Sequence, residues 1–406
     1  MTQKKKPVLR FKGFTDDWEQ RKLGELAEFN PKASLPDSFE YVDLESVVGT
    51  RIINHRTEKK DSAPSRAQRL AQPGDVFYQT VRPYQRNNCL FTGAEKSYVF
   101  STGYAQLRSH GDSYFLLTML QKDDFVNSVM DRCTGTSYPA INSNELAEIN
   151  VIFPTIIQEQ KELGQFFKNI DNLITLHQRK YEKLRNLKKF FLEKIFPQNG
   201  KRVPEVRFAG FTGDWEQRKL GEMLEFRNGF NGSSEIYGGD TPLISVMDIL
   251  NNNFITHDKI LAHVCVDNNI KERFKISYGD VLFQRSSENY EDAGTSNVYI
   301  DRQNNAIFGG FVIAGKKLKE YDPICFKYLL DSKYVRNQII RKAQGAQHIN
   351  VSQDTLQNVA IYIPNMEEQN KIGAYLHNID HLITLHQRVH KKCILARFSL
   401  NRIFIQ

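Results

Sequence analysis

Residues 7–26 read PVLRFKGFTDDWEQRKLGEL and residues 204–223 read PEVRFAGFTGDWEQRKLGEM; 15 of the 20 aligned positions are identical, at an offset of 197. A second pair closes each half: NIDNLITLHQR at 169–179 and NIDHLITLHQR at 378–388 agree at 10 of 11 positions, now at an offset of 209. Between these ends the interiors share only isolated echoes, such as Pro73-Gly-Asp-Val76 against Tyr278-Gly-Asp-Val281. A period near two hundred residues is far too long for a stacked solenoid, whose units run about 20 to 50 residues. The pattern is a duplicated domain with pseudo-twofold symmetry, constant at its ends and variable inside. Duplication kept for stability alone explains repeated frames but not interiors that diverged so much further.

The repeated NID motif sits in a stretch from Ile156 to Phe196 with no proline and no glycine except Gly164. Its apolar residues fall at helical spacing: Leu163, Phe167, Ile170, Leu173, Ile174, Tyr181, Leu184, Leu187, Phe191 and Ile195. The spacing predicts one helix between Pro154 and Pro197, and about 41 residues at 1.5 Å each span roughly 60 Å. A second helix is predicted from about Glu367 to Ile403, with Ile372, Leu376, Ile379, Leu382, Ile383, Val389, Leu395 and Ile403 on its apolar stripe. Such faces pair, so the two helices are expected to pack antiparallel as a coiled-coil spacer.

The interiors mix short β-rich runs with turns and short helical pieces such as Ser113 to Val129. The runs are Asp75 to Val81, Tyr98 to Phe100, Asn150 to Phe153, Asp280 to Phe283, Ala306 to Ile313 and Val359 to Ile363. That reads as α+β, since the strands are too few and the helices too irregularly placed for a doubly wound nucleotide fold. The expected division is a head over 1–155, a helix over 156–197, a second head over 198–363 and a second helix over 364–406.

The chain has 406 residues, 40% hydrophobic and 25% charged, with a mean hydropathy of -0.50, a balance that suits a folded globular protein. No apolar run approaches the roughly 20 residues of a membrane helix. Met1 to Lys6 is basic with no apolar segment behind it, so residence in the cytoplasm is expected. The five cysteines, Cys89, Cys133, Cys265, Cys325 and Cys393, include no C-x-x-C pair, and reduced, mostly buried thiols are expected instead of disulfides or a zinc cage. A net charge of +8 suggests a polyanionic partner. Nine basic residues between Arg179 and Arg202 (Arg179, Lys180, Lys183, Arg185, Lys188, Lys189, Lys194, Lys201, Arg202) face only Glu182 and Glu193. Arg388, Lys391, Lys392, Arg397 and Arg402 form a weaker set on the second helix. A solvated helix face and a phosphate-binding face both fit such runs.

A catalytic site worth believing would be supported by both halves, and none is. Gly310 to Lys317 fits a phosphate loop as far as G-x-x-x-x-G-K but ends in lysine where Ser or Thr must hold the metal. Pro36-Asp37 with Glu58-Lys59-Lys60 loosely matches a metal-dependent nuclease pattern that has no counterpart in the second half. Asn30-Pro31-Lys32 fails the Asn-Pro-Pro-aromatic pattern of amine methylation at its third position. His177 and His386 lie in apolar helical runs and read as polar interruptions of a helix seam. No catalytic or metal-binding residue is assigned.

Two polar loops recur in each head. After the strand at Asp75 comes Arg82-Pro-Tyr84-Gln85-Arg86-Asn87-Asn88, and the same place in the second half holds Gln284-Arg285-Ser286-Ser287-Glu288-Asn289-Tyr290. Before each long helix lie Thr134-Gly-Thr136-Ser137-Tyr138-Pro-Ala-Ile-Asn142 and Gln344-Gly-Ala-Gln347-His348-Ile-Asn350. Arginine bridges guanine O6 and N7, and Asn or Gln pairs with adenine N6 and N7, so these are base-edge readers by composition. Each residue alone also reads as an ordinary exposed loop side chain; their recurrence in both halves favours DNA contact.

The duplicated F-x-G-F-T-x-D-W-E-Q-R-K-L-G-E at 11–25 and 208–222, the G-D-V strand with its Arg82-Pro-Tyr84 loop, and the helices at 159–179 and 368–388 make the chain resemble the specificity subunit of type I restriction-modification systems over essentially its whole length. The resemblance implies two target-recognition domains, each reading one half of a split, asymmetric double-stranded DNA site. It implies helices that set the gap and bind two methyltransferase subunits, with restriction subunits joining that core. Adenine methylation from S-adenosylmethionine and ATP- and Mg-dependent translocation and cleavage then belong to the partners, and this chain carries no cofactor. The first head's loop fits the family pattern; the second lacks the Arg-Pro-Tyr. A stand-alone metal-dependent nuclease using Asp37, Glu58 and Lys60, and a coiled-coil adaptor that does not bind DNA, are the competing readings.

Overall fold

The computed structural model describes residues 7–198, 200–232, 236–303, 305–345 and 347–404; the basic stretch Met1–Lys6 and the side chains of Arg402 and Ile403 lie outside these. The chain divides into two compact units, Met1–Gln178 with Arg388–Gln406, and Arg179–Gln387.

In the first unit an antiparallel sheet runs in the order Ala27–Phe29, Tyr104–Ser109, Asp75–Gln79, Cys89–Leu90. A second sheet orders Arg56–Lys59, Ser38–Val42, Tyr98–Ser101 and Ala67–Leu70, with its central pair parallel. The second unit repeats this plan with other residues. Leu224–Asn228, Val312–Lys317, Val281–Gln284 and Ser296–Val298 form the antiparallel sheet, and Tyr237–Ile244 pairs parallel with Ile307–Phe308 and antiparallel with His263–Val264. Asp75–Gln79 and Val281–Gln284 are buried along their whole length, which is why both read as continuous apolar runs without alternation. Divergent interiors therefore retain one topology.

The short G-D-V echo has a local cause. Gly74 and Gly279 take φ of +96° and +91°, a left-handed turn that glycine adopts without a Cβ clash. The aspartate that follows ties the turn: Gln72 N donates to Asp75 Oδ2 at 2.8 Å, and Ser277 N donates to Asp280 Oδ2 at 2.8 Å. The constant ends also meet. Glu19–Lys22 pairs antiparallel with Asn150–Phe153, and Glu216–Lys219 pairs in the same way with Ala360–Ile363.

Two expected elements are split. Ser113 to Val129 forms two helices, Ser113–Leu120 and Asp123–Met130, because Gln121 and Lys122 break the turn. Ala306 to Ile313 is interrupted at Gly309-Gly310 into Ile307–Phe308 and Val312–Lys317, so the phosphate-loop-like segment is mostly strand. Cys89 and Cys325 are buried, but Cys265 is exposed, unlike the buried thiol expected there. Burial pushes the Cys89 thiol up to about 12.

The long helices run Ile157–Lys194 and Met366–Phe404. Within the first unit, Asp171 accepts from Tyr114 Oη at 2.7 Å and Arg397 Nε at 2.9 Å, while Phe404 packs on Phe166 and Phe167. Within the second, Asp380 accepts from Tyr328 Oη at 2.6 Å and pairs with Lys188 Nζ at 2.7 Å, and Phe191 packs on Tyr375. In each unit the partner's number falls as the residue's number rises, so the pairing is antiparallel. The aspartate of the repeated NID motif is thus the polar tie between the two helices. The expected apolar seam is narrower than its spacing suggested: Leu163, Phe167, Ile372, Leu376 and Ile379 are buried, whereas Leu173, Leu187, Leu382 and Leu395 are exposed. Ile195 lies in the core beyond the helix end.

Gly164 and Gly373 stand where each long helix crosses a shorter one. A Cβ on Gly164 would lie 2.1 Å from Asp112 Oδ1, and one on Gly373 would lie 2.5 Å from Asp322 Oδ1. Both carboxylates cap a helix, accepting from Phe115 N at 2.7 Å and Cys325 N at 2.6 Å. Gly164→Ala is expected to destabilise the chain by roughly 1–3 kcal/mol, the overpacking and lost cap outweighing alanine's helix preference. Urea denaturation checks this; a neutral or stabilised variant contradicts the close approach.

Candidate nucleic-acid interface

At the end of Asp75–Gln79 the first unit makes a bend that few sequences tolerate. Arg82 and Arg86 both take φ of 55°, flanking a short turn over Pro83–Gln85. Left-handed backbone is disfavoured for side chains with a Cβ and concentrates where function over-determines the fold. The surroundings hold it: Arg82 N donates to Pro139 O at 2.8 Å, Val81 bridges Ala140, and the Arg82 guanidinium lies 4.3 Å from the Tyr138 ring centroid. The loops 82–88 and 134–142, distant in sequence, therefore form one surface. Tyr84, Gln85, Thr136, Ser137 and Tyr138 are exposed on it.

Four residues proposed as readers have other partners. Arg86 pairs with Asp123 at 2.8 Å and donates to Gln121 O at 3.1 Å. Asn87 Oδ1 accepts from Gly49 N at 2.9 Å. Asn88 is buried and accepts from Gln79 N at 2.7 Å, which closes it to a base edge. Asn142 caps Ser143–Ala147 through Glu145 N at 2.8 Å. Short polar side chains compete for backbone groups in turns, so a loop rich in Asn spends part of it on its own shape.

The second unit brings its two loops together by a different device. Ser286–Ser287 pairs as a short strand with Ile349–Asn350, and Val351 N donates to Arg285 O at 2.9 Å. Tyr290 Oη donates to Gly345 O at 2.8 Å. Asn289, Tyr290, Gln344, Gln347, His348 and Asn350 are exposed, and Arg285 and Ser286 are half-buried. Ser287 is buried and its hydroxyl accepts from Asn289 N at 3.1 Å, so it supports the loop and does not face outward. Asn289 also donates to Asp292 Oδ2 at 3.3 Å, and Asn350 donates to His348 O at 2.9 Å.

A further residue class supports both loops from below. Asp75-Val-Phe-Tyr-Gln79 and Asp280-Val-Leu-Phe-Gln284 share a glutamine four positions past the aspartate. Both glutamines are buried directly under the loops. Gln79 Nε2 donates to Gln85 Oε1 and Gln284 Nε2 donates to Ser286 O, each at 2.9 Å. Their common spacing was the available signal.

One carboxylate of the strand Ser38–Val42 is locked. Lys96 first, then His55 and Thr57, bond the Glu40 carboxylate and hold it at about 2. A carboxylate depressed in the folded state stabilises above its unfolded value of about 4.3 and loses that contribution as pH falls toward 2. Acid titration of the wild type is expected to show a destabilising arm across that window; Glu40→Gln should lack it, and identical profiles would contradict the assignment. Of the basic cluster, Lys188 pairs with Asp380 and Lys194 with Glu205, while Lys180, Lys183 and Lys189 are exposed. Glu58 of the nuclease-like pattern accepts from Arg56 at 2.8 Å.

Comparison with known proteins bears on both units. The family model for the type I restriction modification DNA specificity domain matches residues 15–186 and again residues 212–393. The specificity subunit of the type I restriction enzyme MjaVIII from Methanocaldococcus jannaschii is 22% identical over 309 residues, covering 72% of this chain and 69% of the relative. The putative MjaX specificity subunit of the same organism is 24% identical over 309 residues, covering 72% and 67%. Among solved structures, the type I restriction-modification S subunit from M. genitalium aligns with a TM-score of 0.61 at 14% identity, over 98% of this chain and 99% of that one. A chain from a study of assembly and conformational transition of the type I R-M system aligns at 0.50 and 22% identity, covering 96% of each. At these identities the structural likeness speaks for the fold.

Proposed function

The chain belongs to the type I restriction-modification DNA specificity family, and from that premise we propose that each unit reads one half of a split, asymmetric site on double-stranded DNA. One observation carries the reading. In both units two loops far apart in sequence converge on one surface, over the same sheet topology, with different side chains. A shared frame with unlike readers predicts two unlike half-sites, hence a site that is not a palindrome. Phosphate contacts position such a protein while base contacts specify the letters.

The paired helices act as the spacer, because half-sites on one face of the duplex lie about a helical turn apart. Their exposed leucines support docking of two methyltransferase subunits: Leu173 and Leu176 on one helix recur as Leu382 and Leu385 on the other. Exposed apolar patches of this kind mark protein interfaces. Restriction subunits join the methyltransferase core. Adenine methylation from S-adenosylmethionine and ATP- and Mg-dependent translocation and cleavage are the partners' chemistry, in the cytoplasm, and this chain contributes recognition without catalysis.

Mapping methylated adenines in DNA from cells carrying the chain with its partner subunits yields both half-sites and the gap. Replacing the interior of one unit with that of a relative is expected to change one half-site and leave the other intact; retention of the whole site refutes the reading. Specific affinity of the assembled complex should fall by about three to five orders of magnitude between 50 and 200 mM salt if 6–10 phosphates are contacted. Salt-insensitive association without a DNA footprint would instead favour an adaptor.

A further inference from the structure

Beside the second reading surface, a large apolar side chain stands in solvent. Phe311 follows Gly309-Gly310 between Ile307–Phe308 and Val312–Lys317, and it is 73% exposed. The backbone beneath it is tied down. Gly309 N donates to Ile244 O at 3.0 Å, Val312 N to Gly309 O at 2.9 Å, and Arg285 N to Phe311 O at 2.9 Å. The Arg285 guanidinium also reaches Gly310 O at 3.4 Å. A Cβ on Gly310 would displace only the exposed Asn231 side chain, whose Oδ1 would lie 1.5 Å away. A hydrogen-bonded turn thus presents a phenyl ring outward, next to an arginine and continuous with the reading loops.

The corresponding turn of the first unit, Ser101-Thr102-Gly103, carries no apolar side chain. There the aromatic beside the arginine is Tyr138, whose ring already stacks on Arg82. Phe311 has no aromatic or cation stacked on it among the described residues. An aromatic ring is one of the larger hydrophobic contributions a side chain can make, and this one stands beside Arg285 and the loops read above as facing DNA. Stacked base pairs are that partner on a DNA-reading surface: apolar side chains unstack one step and bend the duplex.

We propose that Phe311 is a wedge that enters between two base pairs of the second half-site and kinks the duplex there, while Arg285 engages the neighbouring nucleotide. This rests on the DNA reading given above and adds that the two half-sites are bound by unlike geometry, with deformation in the second.

The test uses the full chain assembled with its methyltransferase subunits and duplexes of its mapped target, with 2-aminopurine at successive positions of the second half-site. Binding is expected to brighten one position. Phe311→Ala should abolish that signal and weaken specific binding roughly ten- to a hundredfold, about 1.4 to 2.8 kcal/mol. Phe311→Trp should keep both, and discrimination in the first half-site should be unchanged. Because the ring is exposed, the thermal stability of Phe311→Ala should equal that of the wild type. Target discrimination that survives in Phe311→Ala with no change in affinity or brightening overturns the wedge alone. So does an affinity loss without brightening in the wild type, which would make Phe311 a contact to a thymine methyl group, sensitive to uracil in its place. A wild-type complex that fails to distinguish its target from unrelated DNA overturns the DNA reading itself.

Discussion

Glu159→Ala is expected to destabilise the first unit by about 3–5 kcal/mol, because it strips the partner from a buried ion pair and leaves the other charge unpaired. The Glu159 carboxylate takes Arg10 through two bonds, Nε at 2.6 Å and Nη2 at 2.7 Å, and also accepts from Trp18 Nε1 at 3.2 Å. Its side chain is 2% exposed and that of Arg10 13%. The same clamp recurs as Arg207 on Glu368, at 2.7 and 2.8 Å. There the Trp215 indole N–H has no partner among the described residues. Glu368→Ala should therefore cost about 1 kcal/mol less, since no indole donor is newly orphaned. The double change Arg10→Met with Glu159→Leu should recover more than half of the loss, because apolar replacement of a buried pair is often neutral. Urea denaturation of the three variants decides; a loss below about 1 kcal/mol for Glu159→Ala would mean that the clamp is ornamental.

The second large effect concerns selectivity. Arg82→Ala is expected to reduce discrimination at one base pair of the first half-site by about 1–3 kcal/mol, the worth of a bidentate arginine–guanine contact. Binding to variants of the second half-site should keep its preferences. Tyr138→Ala should have part of the same effect, as the ring under the guanidinium fixes its direction. Arg82→Gly separates stability from reading: glycine relieves the left-handed strain, so melting should not fall while selectivity is lost. Arg86→Ala should do the opposite, lowering stability through the lost Asp123 pair with little change in base preference. Competition binding with single-base variants of the target distinguishes these. A uniform loss across all sequences for Arg82→Ala would make it a phosphate contact.

Much of this is legible in the amino-acid sequence. The duplicated ends announced the two units, and the NID helices announced antiparallel pairing, because those signals are long and periodic. The division of labour within the loops was not legible. Arg82 and Arg86 are four residues apart in the same loop, yet Tyr138 holds one and Asp123 takes the other, and both partners lie far along the chain. Composition marks a loop as polar; which polar atoms are left over depends on neighbours that only folding supplies. Phe311 escaped notice for the reverse reason. A phenylalanine before Val312-Ile313-Ala314 reads as strand core, but it falls in the break between Ile307–Phe308 and Val312–Lys317, where its ring stands in solvent.

The two short strands that close each unit have an evolutionary consequence. Lys22 lies opposite Asn150, and Lys219 lies opposite Ala360. Each divergent stretch therefore leaves the duplicated frame and rejoins it at adjacent points, like an insert with both stubs in one socket. Recombination at the near-identical flanks can graft a foreign insert without moving the frame, provided its two ends arrive side by side. Exchange of such inserts is expected to change recognition while the frame keeps its geometry.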